Sequence, residues 1–144
     1  MSYKCQYFKI EELVDEATFL RYGEKAWQFL DDRLLKLADF LRSKFGSCTV
    51  NDWVWGGNYS ESGLRSPDTS TGAMYSQHKF GRALDMKFKE YKAQTVREWL
   101  EINWTEDLSK AVLGEVVKIT VETDITWLHI DVRNNHNIFN KFKP

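Results

Sequence analysis

The strongest constraint on the fold is a periodic run of large apolar side chains in the first third of the chain. Successive members of the run are 3, 4, 3, 4 and 4 positions apart, a spacing that puts side chains on one face of an α-helix. The run consists of Trp27, Leu30, Leu34, Leu37, Leu41 and Phe45. Gly46 follows directly and is typical of a helix end. We therefore predict one amphipathic helix whose apolar face packs into the core.

The other patterns predict short elements around an irregular middle section. Residues 56–76 are rich in Gly, Ser, Thr, Asn and Asp, and so predict a long loop of the kind that is usually functional or disordered. The predicted strands cover residues 48–55, 83–88, 115–121 and 126–132, the last two joined as a hairpin. The further predicted helices are a short one within residues 8–14, where the pattern also fits a strand followed by a helix, one capped by Thr95 and one over residues 107–113. Together these predict an α+β fold in which helices flank a small antiparallel sheet.

The size and charge of the chain limit its function. Its 144 residues match one ordinary domain, which can bury a core without a disulfide or a metal staple. Twenty basic residues balance twenty-one acidic ones, so a dominant basic surface for nucleic acid is excluded. No run approaches the ~18 consecutive apolar residues that a membrane span needs. We expect a single monomeric domain over residues 1–144, with no nucleic-acid partner and no membrane insertion.

The start of the chain and its two cysteines indicate the compartment. No apolar run follows a basic start, so the pattern of a secretory signal peptide is missing. Cys5 and Cys48 have neither a CxxC spacing nor a neighbouring histidine, which favours free thiols in a reducing compartment. We therefore expect a cytoplasmic protein.

Two short segments concentrate the side chains that a metal site requires. His78 and Asp85 lie seven positions apart in the first segment, and His129 lies in the second, residues 127–131. A catalytic zinc site takes three such ligands and leaves a fourth position open for water. A single histidine or aspartate in these positions is more commonly structural, so the hypothesis depends on the whole set. The third histidine, His136, lies in a polar stretch, and we expect it to be exposed.

The same segments resemble a family of zinc peptidases. Residues 76–85 read Ser-x-His-x-x-x-x-x-x-Asp with an inner Gly and Ala, and residues 127–131 read Trp-Leu-His-Ile-Asp. Residues 62–67 are similar to a Ser-Gly-Tyr-Arg-Ser-Pro segment, with Leu64 in place of the aromatic residue. In this order the motifs resemble the zinc D-alanyl-D-alanine carboxypeptidase family. Its relatives include phage L-alanyl-D-glutamate endolysins, the vancomycin-resistance dipeptidases and the hedgehog signalling domain.

The resemblance implies a hedgehog/DD-peptidase-like fold and a zinc metallopeptidase that hydrolyses stem peptides of bacterial peptidoglycan. It implies one Zn²⁺ per chain, bound by His78, Asp85 and His129. Arg65 matches an arginine near the scissile carbonyl, where a guanidinium can stabilise an oxyanion or grip a substrate carboxylate. Whether the terminal D-Ala is trimmed or a bond within the stem is cut stays open.

The general base is where the sequence departs from the family. Dipeptidases and endolysins carry an acidic residue three positions before the last histidine ligand, where this chain has Thr126. The carboxypeptidase branch carries its base five positions before, which is Asp124, and Glu122 lies seven before. A carboxylate at either place could take a proton from water and return it to the leaving amine. We prefer Asp124 because its spacing fits a branch of the family, and ordinary turn chemistry is the alternative for both.

Two further polar residues flank the proposed ligands. Ser76 is expected to shape the loop or to hydrogen-bond beside His78. Asp131 is expected to orient His129 or to cap a strand.

The family resemblance leaves two functional hypotheses. The first is a phage or prophage lysis protein that stays in the cytoplasm until it is released to the cell wall. The second is a non-catalytic zinc-containing binding or structural module on the same fold, as in the hedgehog domain.

Overall fold

The computed structural model describes residues 2–144, which form a five-stranded sheet with helices packed against it. The α-helices are α1 (Glu16–Tyr22), α2 (Asp32–Phe45), α3 (Ala93–Asn103) and α4 (Glu106–Leu113). The strands are β1 (Cys48–Thr49), β2 (Ala83–Phe88), β3 (Ile119–Glu122), β4 (Leu128–Asp131) and β5 (Phe139–Phe142). Short 3-10 helices cover Ile10–Glu12, Gly23–Phe29, Trp53–Trp55 and Gln77–Phe80. The predicted α+β class is confirmed.

The sheet is mixed, so the prediction of a purely antiparallel sheet is wrong. The strand order is β1-β2-β4-β3-β5, and every neighbouring pair is antiparallel except β3 and β5. After β4 the chain reverses direction, and β5 takes its place at the edge of the sheet, on the far side of β3. Because β3 runs opposite to β4, a strand that reverses direction after β4 must run parallel to β3. Strand β5 was not predicted from the sequence.

The predicted apolar helix is present but divided in two. Residues Gly23–Phe29 form a 3-10 helix, and α2 begins only at Asp32. Asp31 starts α2 as its N-cap, since its side chain accepts a hydrogen bond from Arg33 N. All six residues of the apolar run are buried, because both helices face the same core. Gly46 ends α2 with φ 86°, as predicted.

Other boundaries differ from the prediction by a few residues. The strand predicted over residues 48–55 is limited to β1, because residue Asn51 turns away and its side chain donates to Val14 O. Lys92, not Thr95, precedes α3, so Thr95 lies inside the first turn. Residues 56–76 contain no helix or strand, which confirms the long loop. Cys5 and Cys48 are free thiols.

Side-chain alternation on β2 and β4 separates the core from the polar face of the sheet. Leu84, Met86, Leu128 and Ile130 are fully buried in the hydrophobic core beside α2 and α3. The intervening residues therefore face the opposite side of the sheet, towards the loop of residues 56–76. Within residues 2–144, no helix combines the length and the apolar character needed to cross a bilayer.

Candidate metal centre

Strand pairing brings the predicted metal ligands together. In the register of β2 on β4, Asp85 lies directly opposite His129. Opposite residues of an antiparallel pair share a face, and His129 Nδ1 lies 3.0 Å from Asp85 Oδ1. His78 comes from the 3-10 helix before β2, and its Nε2 lies 3.2 Å from the same oxygen. All three residues are buried, their ligand atoms lie within 4.8 Å of one another, and the group could hold a metal ion.

Each histidine ring has an inner nitrogen, which faces Asp85, and an outer nitrogen, which faces away from it. The hydrogen bond of the outer nitrogen determines whether the inner nitrogen of a neutral ring carries a lone pair. His78 Nδ1 lies 2.9 Å from Gly63 O, and because a carbonyl only accepts, Nδ1 must carry the proton. His129 Nε2 lies 2.9 Å from a carboxylate oxygen of the fully buried Asp131, so Nε2 carries the proton there. Each neutral ring therefore presents a lone pair to Asp85 Oδ1. Three acceptor atoms converge, an arrangement that a cation satisfies.

The charges of these groups shift one another's pKa. Burial lowers the pKa of His129, but hydrogen bonds to Asp131 and Asp85 outweigh burial and raise it to about 9. Burial raises the pKa of Asp85, but hydrogen bonds from His129 and His78 outweigh it and hold that pKa well below its usual range. The pKa of Asp131 is also lowered, because hydrogen bonds from His129 and Arg133 outweigh its burial. The carboxylates of Asp85 and Asp131 thus stabilise a positive charge that lies between them.

Arg65 reaches the centre from the long loop. Its Nη2 lies 3.3 Å from Asp85 Oδ2, and its Nε donates to Glu61 O at 2.6 Å. Its backbone nitrogen donates to His78 O, which ties the loop to the first candidate ligand. Gly72 packs against the guanidinium with φ 76°, and a Cβ there would lie 2.7 Å from Arg65 Nη1. The structure therefore places Arg65 beside the candidate ligands, with its side chain enclosed by the loop.

The two predicted supporting residues lie beside the ligands. Ser76 Oγ accepts a hydrogen bond from His78 N and caps the 3-10 helix that carries this histidine. Asp131 contacts the outer nitrogen of His129. The third histidine, His136, is exposed as predicted.

The structure brings Glu122, and not Asp124, to the candidate ligands. The β3–β4 register pairs Val121 with Ile130, and its continuation places Glu122 opposite His129. Glu122 Oε2 accordingly lies 4.0 Å from His129 Nδ1. Asp124 lies two residues beyond the end of β3, where it is exposed in the turn with φ 61°. The preference for Asp124 is therefore not supported by the geometry, because Asp124 lies in the exposed turn beyond the end of the strand.

A cavity of about 370 Å³ opens over the three candidate ligands. Its other charged and aromatic lining residues are Arg65, Tyr75, Glu122, Trp127, Arg133 and Phe142. Arg133 was not among the predicted site residues, and its Nε and Nη2 donate to the Asp131 carboxylate at 2.8 and 2.6 Å. Residues 129, 131 and 133 are two positions apart, and side chains with this spacing share one face of an extended strand. This spacing could have indicated Arg133 from the sequence.

The chain has no match among family models, curated proteins or solved structures. The resemblance to zinc peptidases therefore rests on the sequence motifs that contain His78, Asp85 and His129.

Proposed function

We propose that the protein is a zinc-dependent peptidase that hydrolyses stem peptides of bacterial peptidoglycan. The observation that carries the proposal is the convergence of His78 Nε2, His129 Nδ1 and Asp85 Oδ1 on one buried point. With both outer ring nitrogens committed as donors, a single divalent cation satisfies all three lone pairs at once.

The donor set and its spacing favour zinc. Ligand atoms 2.0–2.2 Å from a tetrahedral zinc ion lie about 3.3–3.6 Å from one another. The separations from Asp85 Oδ1 to the inner nitrogens of His78 and His129 are 3.2 and 3.0 Å, close to that requirement. Calcium and magnesium prefer sites made of oxygen alone. Zinc held by three protein ligands supplies Lewis-acid activation of a water and of the scissile carbonyl.

Glu122 is the general base of the proposed reaction. Its carboxylate lies 4.0 Å from His129 Nδ1 and lines the cavity, with 18% of the side chain exposed. From this position it accepts a proton from the attacking water and returns it to the leaving amine.

Arg65 stabilises the negative charge that develops on the carbonyl oxygen. A guanidinium stays protonated, and this one is oriented beforehand by Asp85 and Glu61. Charge stabilisation by a donor that is already oriented needs no reorganisation during the reaction. The cavity opens beside the exposed rings of Tyr75 and Trp127, which leaves an approach for a peptide. The choice of cell-wall peptides rests on the motif resemblance.

Zinc analysis combined with peptidoglycan digestion tests the proposal. We expect about one zinc per chain and, by mass spectrometry, shortened stem peptides in the muropeptides of a purified cell wall. A chelator should abolish the cleavage and added zinc should restore it. A protein that holds one zinc but cleaves no wall peptide would instead be a zinc-containing binding module.

A pair of variants tests the assignment of the base. Glu122→Gln should retain zinc and lower kcat by about 10²–10⁴-fold, the usual contribution of general base catalysis. Asp124→Asn is the matched control and should keep activity near that of the wild type. The reverse result, with Asp124→Asn inactive and Glu122→Gln active, would return the role to Asp124.

A further inference from the structure

The cavity over the candidate ligands shares lining residues with two neighbouring cavities. On one side it shares Arg65 with a cavity of about 590 Å³. On the other side it shares Asp85 and Trp127 with a cavity of about 410 Å³. This last cavity, the Lys87 subsite, is lined by Tyr59, Ser62, Asp85, Lys87, Thr126 and Trp127.

Lys87 faces the subsite because it lies two residues after Asp85 on β2, and such residues share a face of the sheet. Its Nζ donates to Val50 O at 2.5 Å and to Ser62 Oγ at 2.7 Å. It also lies 3.9 Å from the centre of the Tyr59 ring. These contacts hold the ammonium group in one place, and all of them are made to uncharged groups.

The charge of Lys87 has no paired carboxylate. Among residues 2–144, no carboxylate oxygen forms a salt bridge with its Nζ. The nearest carboxylate on its own strand, Asp85, directs Oδ1 to the two histidines and Oδ2 to Arg65. Partly burying a cation without an anion is costly, so an anion entering this cavity would be favourably bound.

We propose that the Lys87 subsite binds a free carboxylate of the peptide substrate, on a residue next to the scissile bond. The proposal rests on the proposed peptidase function. Along β2, Asp85 and Lys87 are about 6.6 Å apart, since a strand rises about 3.3 Å per residue. An extended peptide covers that distance in about two residues. The rings of Tyr59 and Trp127 line the subsite, and the ammonium group of Lys87 pairs with the substrate carboxylate. The substrate class is therefore an acidic peptide, not a neutral one.

A matched pair of peptides tests whether the enzyme prefers a carboxylate at this position. The two differ only in a carboxylate or a carboxamide on the residue adjacent to the scissile bond. We expect the wild-type kcat/KM to be about 10–100-fold higher for the acid, the effect of one hydrogen bond to a charged group. Lys87→Met should remove this preference, mainly by raising KM for the acid, and Lys87→Arg should keep part of it. The exposed Lys89 lies outside the subsite, so Lys89→Met is the control and should keep the full preference.

A binding measurement separates the subsite from catalysis. N-acetyl-D-alanine and its carboxamide are titrated into the full-length protein while NMR follows the amides of Thr126 and Trp127. We expect the acid, and not the carboxamide, to shift these signals in the wild type and in Lys87→Arg, and neither to shift them in Lys87→Met. Thermal unfolding checks that each variant is folded.

The outcomes distinguish the subsite from the peptidase. Binding of the acid through Lys87 without any hydrolysis would overturn the peptidase and support the subsite. Hydrolysis with equal kcat/KM for acid and carboxamide would overturn the subsite alone. Acid binding that Lys87→Met leaves unchanged would also overturn it.

Discussion

Asp39 and Asp85 are equally buried, with 7% and 8% of their surface exposed, but their surroundings differ in kind. Asp39 lies on α2 and accepts hydrogen bonds from Tyr3 Oη at 2.6 Å, Gln6 N at 2.8 Å and Tyr7 N at 3.1 Å. Two of these donors are backbone amides and cannot change role. Asp39 is therefore satisfied by the fold itself, and it ties the N-terminal segment to α2.

Asp85 faces groups whose character depends on protonation. Its Oδ1 meets ring nitrogens of His78 and His129 that carry lone pairs in the neutral state. Its one permanent donor is Arg65, at 3.3 Å from Oδ2. Asp85 is thus satisfied only when a proton or a metal ion joins the cluster. Burial alone therefore does not identify a functional carboxylate. The distinguishing property is whether its hydrogen-bond donors are permanent, as around Asp39, or depend on protonation, as around Asp85.

Asp85→Asn should produce the largest difference between the two sites. It replaces an anionic ligand with a neutral amide oxygen, so zinc affinity should fall by more than about 100-fold, beyond the loss expected for a residue that only supports a ligand. Elemental analysis after dialysis should show far less than one zinc per chain, and digestion of peptidoglycan should stop. Circular dichroism should report a folded protein. Retention of wild-type zinc content would show that Asp85 is structural, like Asp39.

Asp131→Asn should have the next largest effect. Asp131 orients His129 and keeps the proton on Nε2, so its loss should weaken zinc binding by about 10–100-fold without abolishing it. Competition with a chelator of known affinity measures the change. Unchanged zinc affinity would mean that Asp131 only anchors Arg133.

The elements that the sequence predicted well are those defined by local patterns. The apolar run from Trp27 to Phe45 identified a buried face, because periodicity depends on the helix itself. It did not predict the break before α2, where Asp31 N donates to Gly81 O, since that contact joins residues distant in the chain. Strand β5 was missed for the same reason, because its partner β3 is distant and its own residues show no apolar alternation.

The candidate site divides in the same way. His78, Asp85 and His129 were predicted because their spacing follows recognisable motifs. The choice between Glu122 and Asp124 depends on where β3 ends and how it pairs with β4, which spacing alone does not determine. Lys87 could not be singled out either, because its significance comes from contacts with distant residues.

Asp39→Asn should affect stability and not the metal site. One of the donors around Asp39 loses an acceptor, which should lower the free energy of unfolding by about 2 kcal/mol. Urea denaturation of the metal-free protein measures this loss, and a zinc titration should give the wild-type affinity. A fall in zinc affinity together with stability would show that the two carboxylates are coupled.

The smallest expected change is that caused by one pH unit in the pH dependence of zinc binding. The pKa of His129 is raised from its ordinary 6.5 to about 9, so its ring is protonated in the metal-free protein at neutral pH. This protonation stabilises the metal-free fold fully below pH 6.5, and the contribution is lost as pH rises through 9. Zinc requires the neutral ring, so binding should release about one proton at pH 7. Affinity should accordingly rise about tenfold per pH unit and level off near pH 9.

Calorimetry in buffers of different ionisation enthalpy measures the released proton, and we expect Asp131→Asn to change it and Asp39→Asn to leave it unchanged. Asp131→Asn removes the negative charge of the hydrogen-bond acceptor that most raises the pKa of His129, so the proton released at pH 7 should decrease. Asp39→Asn leaves that hydrogen bond intact and should release the same amount as the wild type. If the wild type released no proton, His129 would be neutral beside Asp85. The distinction between the fixed donors of Asp39 and the variable donors of Asp85 would then not hold.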